Sequence, residues 1–335
     1  MRELALFKKK HYTEIDHLYT IGVVLVILGH SHSSDWDTFS GTILETALEF
    51  LYTFHMPLFF VIAGFLFASS SRIDQEGYRT WIGKKAIRLL TPYFVLSLAA
   101  IMPKWLISGS AESVIDLLLR PRLGIWGHFW FIPVLFLIYA IWGFVRKIAQ
   151  KKNKASVQLV VMLISSVLYF LPITTQWFGL NDIKENCIFF AVGVAYFLQA
   201  EHRNRFNKKT QKGVACCFLA ISVSVFLFWR HNEFAAVKLM IAVLMIAACW
   251  ISATILRENR ISKWMSAHNF TFYIYSWPFQ AVMMVLCERL CCPWQIMTLC
   301  MFLAGLAGPA LIILVYDKCR WIHCGFFDLI LGVRG

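Results

Sequence analysis

The feature that most constrains this chain is a series of apolar stretches, each long enough to cross a bilayer, joined by short polar connections. A spanning helix needs about 20 mostly apolar residues, within a range of about 17–25. A backbone in hydrocarbon must also satisfy its hydrogen bonds within its own segment. By that rule the sequence predicts ten spans, at approximately 15–34, 43–69, 89–108, 128–146, 156–173, 186–200, 213–230, 236–256, 269–288 and 295–317. The expected fold is all-α: a polytopic integral membrane protein forming one domain over 1–335, with no soluble domain. Composition agrees, since 59% of the 335 residues are hydrophobic and only 15% charged. Soluble domains hold about 45–50% and about 25%, and one of this size has too little interior to hide so much apolar surface.

The distribution of Lys and Arg tests the span count independently. With the N-terminus cytoplasmic, the inner segments hold 25 of the 32 cations and the outer segments 7. Net charge divides as about +16 inside and about −3 outside, which is the bias that the positive-inside rule predicts for ten spans with both termini cytoplasmic. The basic balance is thereby a topology signal, and no basic segment forms a folded module that would read nucleic acid. The first apolar stretch follows positive charges but lacks a small-residue cleavage site, so an uncleaved first span is expected. Most of the ten cysteines lie in or beside spans, and Cys319, His323 and Cys324 lack zinc-ligand spacing. No metal site is expected. Cys291 and Cys292 fall on the outer side, and the sequence alone assigns them no pairing partner.

Ionisable side chains within spans are costly and usually face a bundle interior or a polar path. His30 stands near the outer half of the first span, and His55 midway along the second, with Glu45 and Glu49 nearer its outer end. His128 opens the fourth span from outside. Asp16 sits at the inner mouth of the first span, where it is expected to cap the helix start. Tyr19 precedes His30 by eleven residues, which on a helix places the two within about 20° of one another and about 16 Å apart along the axis. A polar stripe from the inner mouth toward the outer half is expected. Between the second and third spans, Lys84, Lys85 and Arg88 would share one helical face and suit a phosphorylated ligand. The positive-inside rule would place cations there equally well. Trp36, Trp126, Trp130 and Trp177, near the outer boundary, could stack on sugar faces, although interfacial tryptophans are common in membrane proteins.

Several motifs, in order along the chain, resemble the membrane-bound acyltransferase-three family. They are Ile15 to His30 (IDHLYTIGVVLVILGH), Phe54 to Phe67 (FHMPLFFVIAGFLF), Lys84 to Pro92 (KKAIRLLTP), His128 to Tyr139 (HFWFIPVLFLIY) and Phe270 to Gln280 (FTFYIYSWPFQ). Within that family the chain looks most similar to sugar O-acetylases of the fucose 4-O-acetylase type. The resemblance implies an O-acyltransferase of the bacterial cytoplasmic membrane, with acetyl-CoA as co-substrate and no permanently bound cofactor. The acceptor it implies is a hydroxyl of a cell-surface polysaccharide or glycan precursor, which can be lipid-linked. It implies His30 as the catalytic residue, Lys84, Lys85, Arg88, Tyr19 and Asp16 on the acyl-CoA side, and His55, Glu49, His128 and Trp130 as supporting residues toward the acceptor.

The chain departs from the family pattern in places. Many members carry Arg or Lys where this chain has Tyr19, and a phenol cannot supply that cation. Ala63-Gly64 replaces a common Ser-Gly, and the histidine often found before the late proline is missing from YIYSWP. His30 as general base and His30 as a transient acyl carrier both remain open. So do two other readings of the residues: an exporter of a glycan or lipid, and a non-catalytic partner in polysaccharide assembly.

Overall fold

The computed structural model describes residues 11–32, 39–108, 120–122, 127–149, 154–175, 177–199, 207–231, 234–319 and 325–332. Among them are helices and no strand. The helices are α1 (Thr13–Gly29), α2 (Ile43–Tyr52), α3 (His55–Ser69), α4 (Arg72–Glu76), α5 (Tyr78–Ser108), α6 (Phe131–Ala149) and α7 (Lys154–Phe170). They continue with α8 (Leu180–Leu198), α9 (Lys208–Trp229), α10 (Ala235–Ile255), α11 (Arg260–Ala267), α12 (Asn269–Arg289), α13 (Trp294–Lys318) and α14 (Gly325–Ile330). Each of the ten predicted stretches overlaps a helix. Among the described residues, six segments are long and apolar enough to cross a membrane: α2 with α3, α6, α9, α10, α12 and α13. Large apolar side chains such as Phe228, Leu163 and Leu303 are more than half exposed on the outside of the bundle, a surface that a bilayer would cover.

Three of the differences from the sequence expectation have a plain physical reason. The 43–69 stretch is two helices, because Pro57 has no N–H to give the carbonyl of Thr53 and the helix must restart before it. α5 begins eleven residues before the predicted 89, so Lys84, Lys85 and Arg88 belong to the same helix as the span they precede. α8 begins at Leu180, taking Asp182, Lys184 and Glu185 into its first turns; those charges hid its start from an apolar-run criterion.

α1 holds the middle of the bundle, touching α2, α3, α10, α11, α12 and α13. α3 is apolar all round, and eleven of its fifteen residues are buried, as expected of a helix enclosed on every side. It packs against α8 through reciprocal glycines. A Cβ on Gly64 would stand 2.0 Å from the Phe190 carbonyl oxygen, and one on Gly193 would stand 2.0 Å from that of Val61. Close backbone approach at small residues is how helices associate where lipid removes the hydrophobic driving force. Between α12 and α13 the glycines make room for side chains instead, Gly305 for Gln280 and Gly308 for the Phe279 ring.

Candidate functional site

A cavity of about 710 Å³ opens beside the C-terminal end of α1, and its walls come from elements far apart in sequence. His30, Glu49, His55 and Trp130, all expected site residues, line it together. Arg122, Glu185, Asn186, Lys238, Tyr52 and Tyr273 join them. The volume is within the range of small-molecule sites, about 300–1,000 Å³.

His30 is the residue at which α1 stops, and its own N–H reaches back 3.2 Å to both the Val26 and Ile27 carbonyls. Four side-chain bonds hold this last turn. The Tyr52 hydroxyl donates to the Gly29 carbonyl. Gln280, fully buried on α12, donates from Nε2 to the Ile27 carbonyl at 2.7 Å and to Ser31 Oγ at 2.9 Å. Ser31 Oγ in turn donates to Ile27 at 2.6 Å. The Trp277 ring meets the His30 ring edge-on at 5.7 Å. His32 Nε2 lies 3.1 Å from the Tyr52 hydroxyl.

His55 owes its position to the α2–α3 break. Where a continuous helix would bond the His55 N–H to the Leu51 carbonyl, the imidazole Nδ1 lies 2.9 Å from that oxygen instead. A carbonyl can only accept, so Nδ1 carries the proton and Nε2 keeps a lone pair. A buried imidazole held in that tautomer, on a cavity wall, is competent to accept a proton.

Arg122, which lines the cavity, is held by the buried Asp182, whose Oδ1 takes Arg122 Nε at 2.7 Å and a terminal nitrogen at 2.5 Å. The guanidinium lies 4.2 Å over the Trp130 ring. Asn186 Nδ2 donates to the Asp182 carbonyl at 2.8 Å, and Asn181 Nδ2 to Glu185 at 3.0 Å. Glu49 pairs at 3.4 Å with Arg230. Glu45 serves as a cap for α2, accepting from the Gly41 N–H at 2.7 Å while its own N–H donates to Thr42 Oγ1.

The residues expected on the donor side do not line this cavity. Lys84 pairs with Glu76 at 2.8 Å, and the Lys85 ammonium stands 4.0 Å over the Tyr139 ring, so the two are aimed at different partners. Arg88 is half-buried on the same helix. Tyr19 packs against Phe59 with rings 6.3 Å apart. Asp16 is not the helix cap, a place held by Tyr12 without a side-chain bond; it sits buried in the first turn, 2.9 Å from His11 Nε2. A second cavity, of about 540 Å³, lies on the same half of α1, between His17, Thr20 and Ile21 and the start of α11. Trp177 lies outside the main cavity, with the Arg120 guanidinium 5.0 Å over its ring. Trp36, Trp126 and the side chain of His128 lie outside the described residues.

Sequence reasoning missed Arg122, Asp182, Tyr52 and Tyr273. Arg122 and Asp182 are sixty residues apart and each is an ordinary charge near a connection, whereas Tyr52 and Tyr273 sit in aromatic-rich runs where nothing marks them.

Fold and site together define a multi-pass helical membrane protein with a histidine-bearing polar chamber set into its bundle. The Acyltransferase domain family matches residues 12–316, and the chain belongs to that family. Among curated proteins it is similar to the nodulation protein NolL of Mesorhizobium japonicum, 28% identical over 162 residues, 45% of this chain and 39% of that protein. It is also similar to the nodulation protein NolL of Sinorhizobium fredii, 22% identical over 228 residues, 66% of this chain and 58% of that protein. The chain thus spans about two fifths to three fifths of these relatives' length. No solved structure matches it.

Proposed function

We propose that the chain is an O-acyltransferase of the bacterial cytoplasmic membrane. It moves an acyl group, acetyl from cytoplasmic acetyl-CoA, to a hydroxyl of a surface polysaccharide or glycan precursor, as the sugar O-acetylases do. The observation that carries this reading is the convergence of His30 and His55 on one polar chamber in a chain of the acyltransferase-domain family. Ten crossings with both termini cytoplasmic, supported by the 25-to-7 division of cations, put that chamber on the outer half and the α5 cations at the inner mouth.

In the direct mechanism an imidazole Nε2 takes the proton of the acceptor hydroxyl while its oxygen attacks the thioester carbonyl. The tetrahedral intermediate collapses, and the CoA sulfur leaves with the proton returned by the imidazolium. His30 is the leading base, held at the end of α1 by Tyr52 and Gln280. His55 has the correct tautomer to support it. The Arg122–Trp130 platform offers a flat face for a sugar ring. Lys84, Lys85, Arg88, Tyr19 and Asp16 would meet the nucleotide end of CoA. Their separation from the chamber favours an extended donor reaching along α1, or an acyl group relayed by His30 itself.

The test uses purified protein in nanodiscs with radiolabelled acetyl-CoA. Binding of acetyl-CoA by wild type, weakened in Arg88→Ala and Lys85→Ala, supports the donor assignment. Folded wild type that neither binds nor consumes acetyl-CoA or a longer acyl-CoA overturns it.

A further inference from the structure

The turn between α12 and α13 gathers three thiols that the acyl-transfer chemistry does not use. Cys287, buried in the last turns of α12, forms a small cluster with Met297 and Met301, and Cys292 and Cys300 pack against it. The Cys292 N–H also donates to the Cys287 carbonyl at 2.9 Å, which folds the turn back onto the helix end. Cys292 and Cys300 are partly exposed. Around them stand four methionines, with Met297 and Met301 fully packed, so the pocket is apolar and sulfur-rich. A buried cysteine alone is usually an inert core residue. Here the buried thiol shares one packed cluster with two others that are partly exposed, so that a thiol open to an oxidant stands beside one that can resolve it.

We infer that Cys287, Cys292 and Cys300 form a thiol–disulfide site in which Cys287 is the obligatory partner. The oxidant is a low-molecular-weight or protein disulfide, RSSR. The thiolate of accessible Cys292 or Cys300 attacks one sulfur of RSSR and releases RSH once the leaving thiolate takes up the proton. The Cys287 thiolate then attacks the protein sulfur of the mixed disulfide, expelling the second RSH. The protein dithiol loses two electrons and two protons, and RSSR gains both. A Cys287–Cys292 bond closes the turn, whereas a Cys287–Cys300 bond ties α12 to α13. The second bond fixes the helix that carries Tyr273 to the chamber wall, Trp277 to His30 and Gln280 to the end of α1. In the orientation proposed above, the turn faces the outer, oxidising side. The thiol chemistry itself rests only on the contacts among the three residues.

The experiment treats the purified full chain with oxidised glutathione, alkylates the remaining thiols with N-ethylmaleimide and maps linked peptides by mass spectrometry. The expected result is a bond joining Cys287 to Cys292 or Cys300, reversed by reductant, present in Cys292→Ala and in Cys300→Ala and absent in Cys287→Ala. The Cys292→Ala/Cys300→Ala double variant keeps the buried thiol, guards against misfolding of Cys287→Ala, and should also lack the bond. Three fully alkylated thiols after oxidation would overturn the inference. So would glutathione adducts without an internal bond, or an internal bond among the remaining thiols that survives Cys287→Ala.

Discussion

Replacing Arg122 by Met should be the most destabilising single change on the chamber wall, and its partner explains why. Asp182 has a side chain only 4% exposed, and Arg122 is the cation that meets it, at 2.5 and 2.7 Å. Removing one member of a buried ion pair leaves an uncompensated charge and costs about 3–5 kcal/mol. The Arg122 side chain is 45% exposed, so water screens part of the interaction and the cost should fall at the lower end, about 3 kcal/mol. Neutralising Asp182 as well removes the stranded charge, so Arg122→Met/Asp182→Asn should recover about 2 kcal/mol of that loss. The assay is a double-mutant cycle of unfolding midpoints for the four proteins in one detergent. A single Arg122→Met variant as stable as wild type, or a double variant no better than the single, would refute the claim that this pair is a buried structural element.

Three further outcomes follow from the same geometry. Gly64→Ala should push α3 and α8 apart by about 1 Å, since a Cβ 2.0 Å from the Phe190 oxygen must retreat to about 3 Å; overpacking of this kind costs about 1–3 kcal/mol or more, read as a lower unfolding midpoint, with Gly193→Ala behaving alike. Tyr52→Phe removes the hydroxyl that holds the Gly29 carbonyl at a cost of about 1 kcal/mol in stability, but should lower kcat several-fold with little change in KM for the donor. Gln280→Met keeps the length of the side chain and leaves the Ile27 carbonyl still bonded by Ser31, so stability should fall by only about 1 kcal/mol while kcat falls more than tenfold because the end of α1 is no longer pinned.

The helices were largely legible because apolar runs of spanning length have few alternatives: each of the ten expected stretches overlaps a helix, and six segments among the described residues have the length and apolarity to cross a membrane. The errors fell where local chemistry overrode the apolar pattern. Charges at Asp182, Lys184 and Glu185 hid the start of α8, and Pro57 divided 43–69 into two helices. The histidines of the site were visible for the converse reason, since His30 and His55 are polar interruptions of apolar helices. Their surroundings were not visible. The Arg122–Asp182 pair joins a connection to a helix sixty residues away, and Gln280 meets α1 across 249 and 253 positions of chain. No periodicity in a single sequence encodes such pairings. Glu49 is another such case, since its partner Arg230 lies on a helix end far along the chain.

Transfer of label from acetyl-CoA to a hydroxyl acceptor by wild type, His30→Ala and His55→Ala, each shown to be folded by its unfolding midpoint, tests the central claim most directly. The account predicts transfer by wild type, its loss in His30→Ala and a partial defect in His55→Ala. Transfer by His30→Ala at the wild-type rate would contradict it, and the catalytic group would then have to be sought elsewhere on the chamber wall.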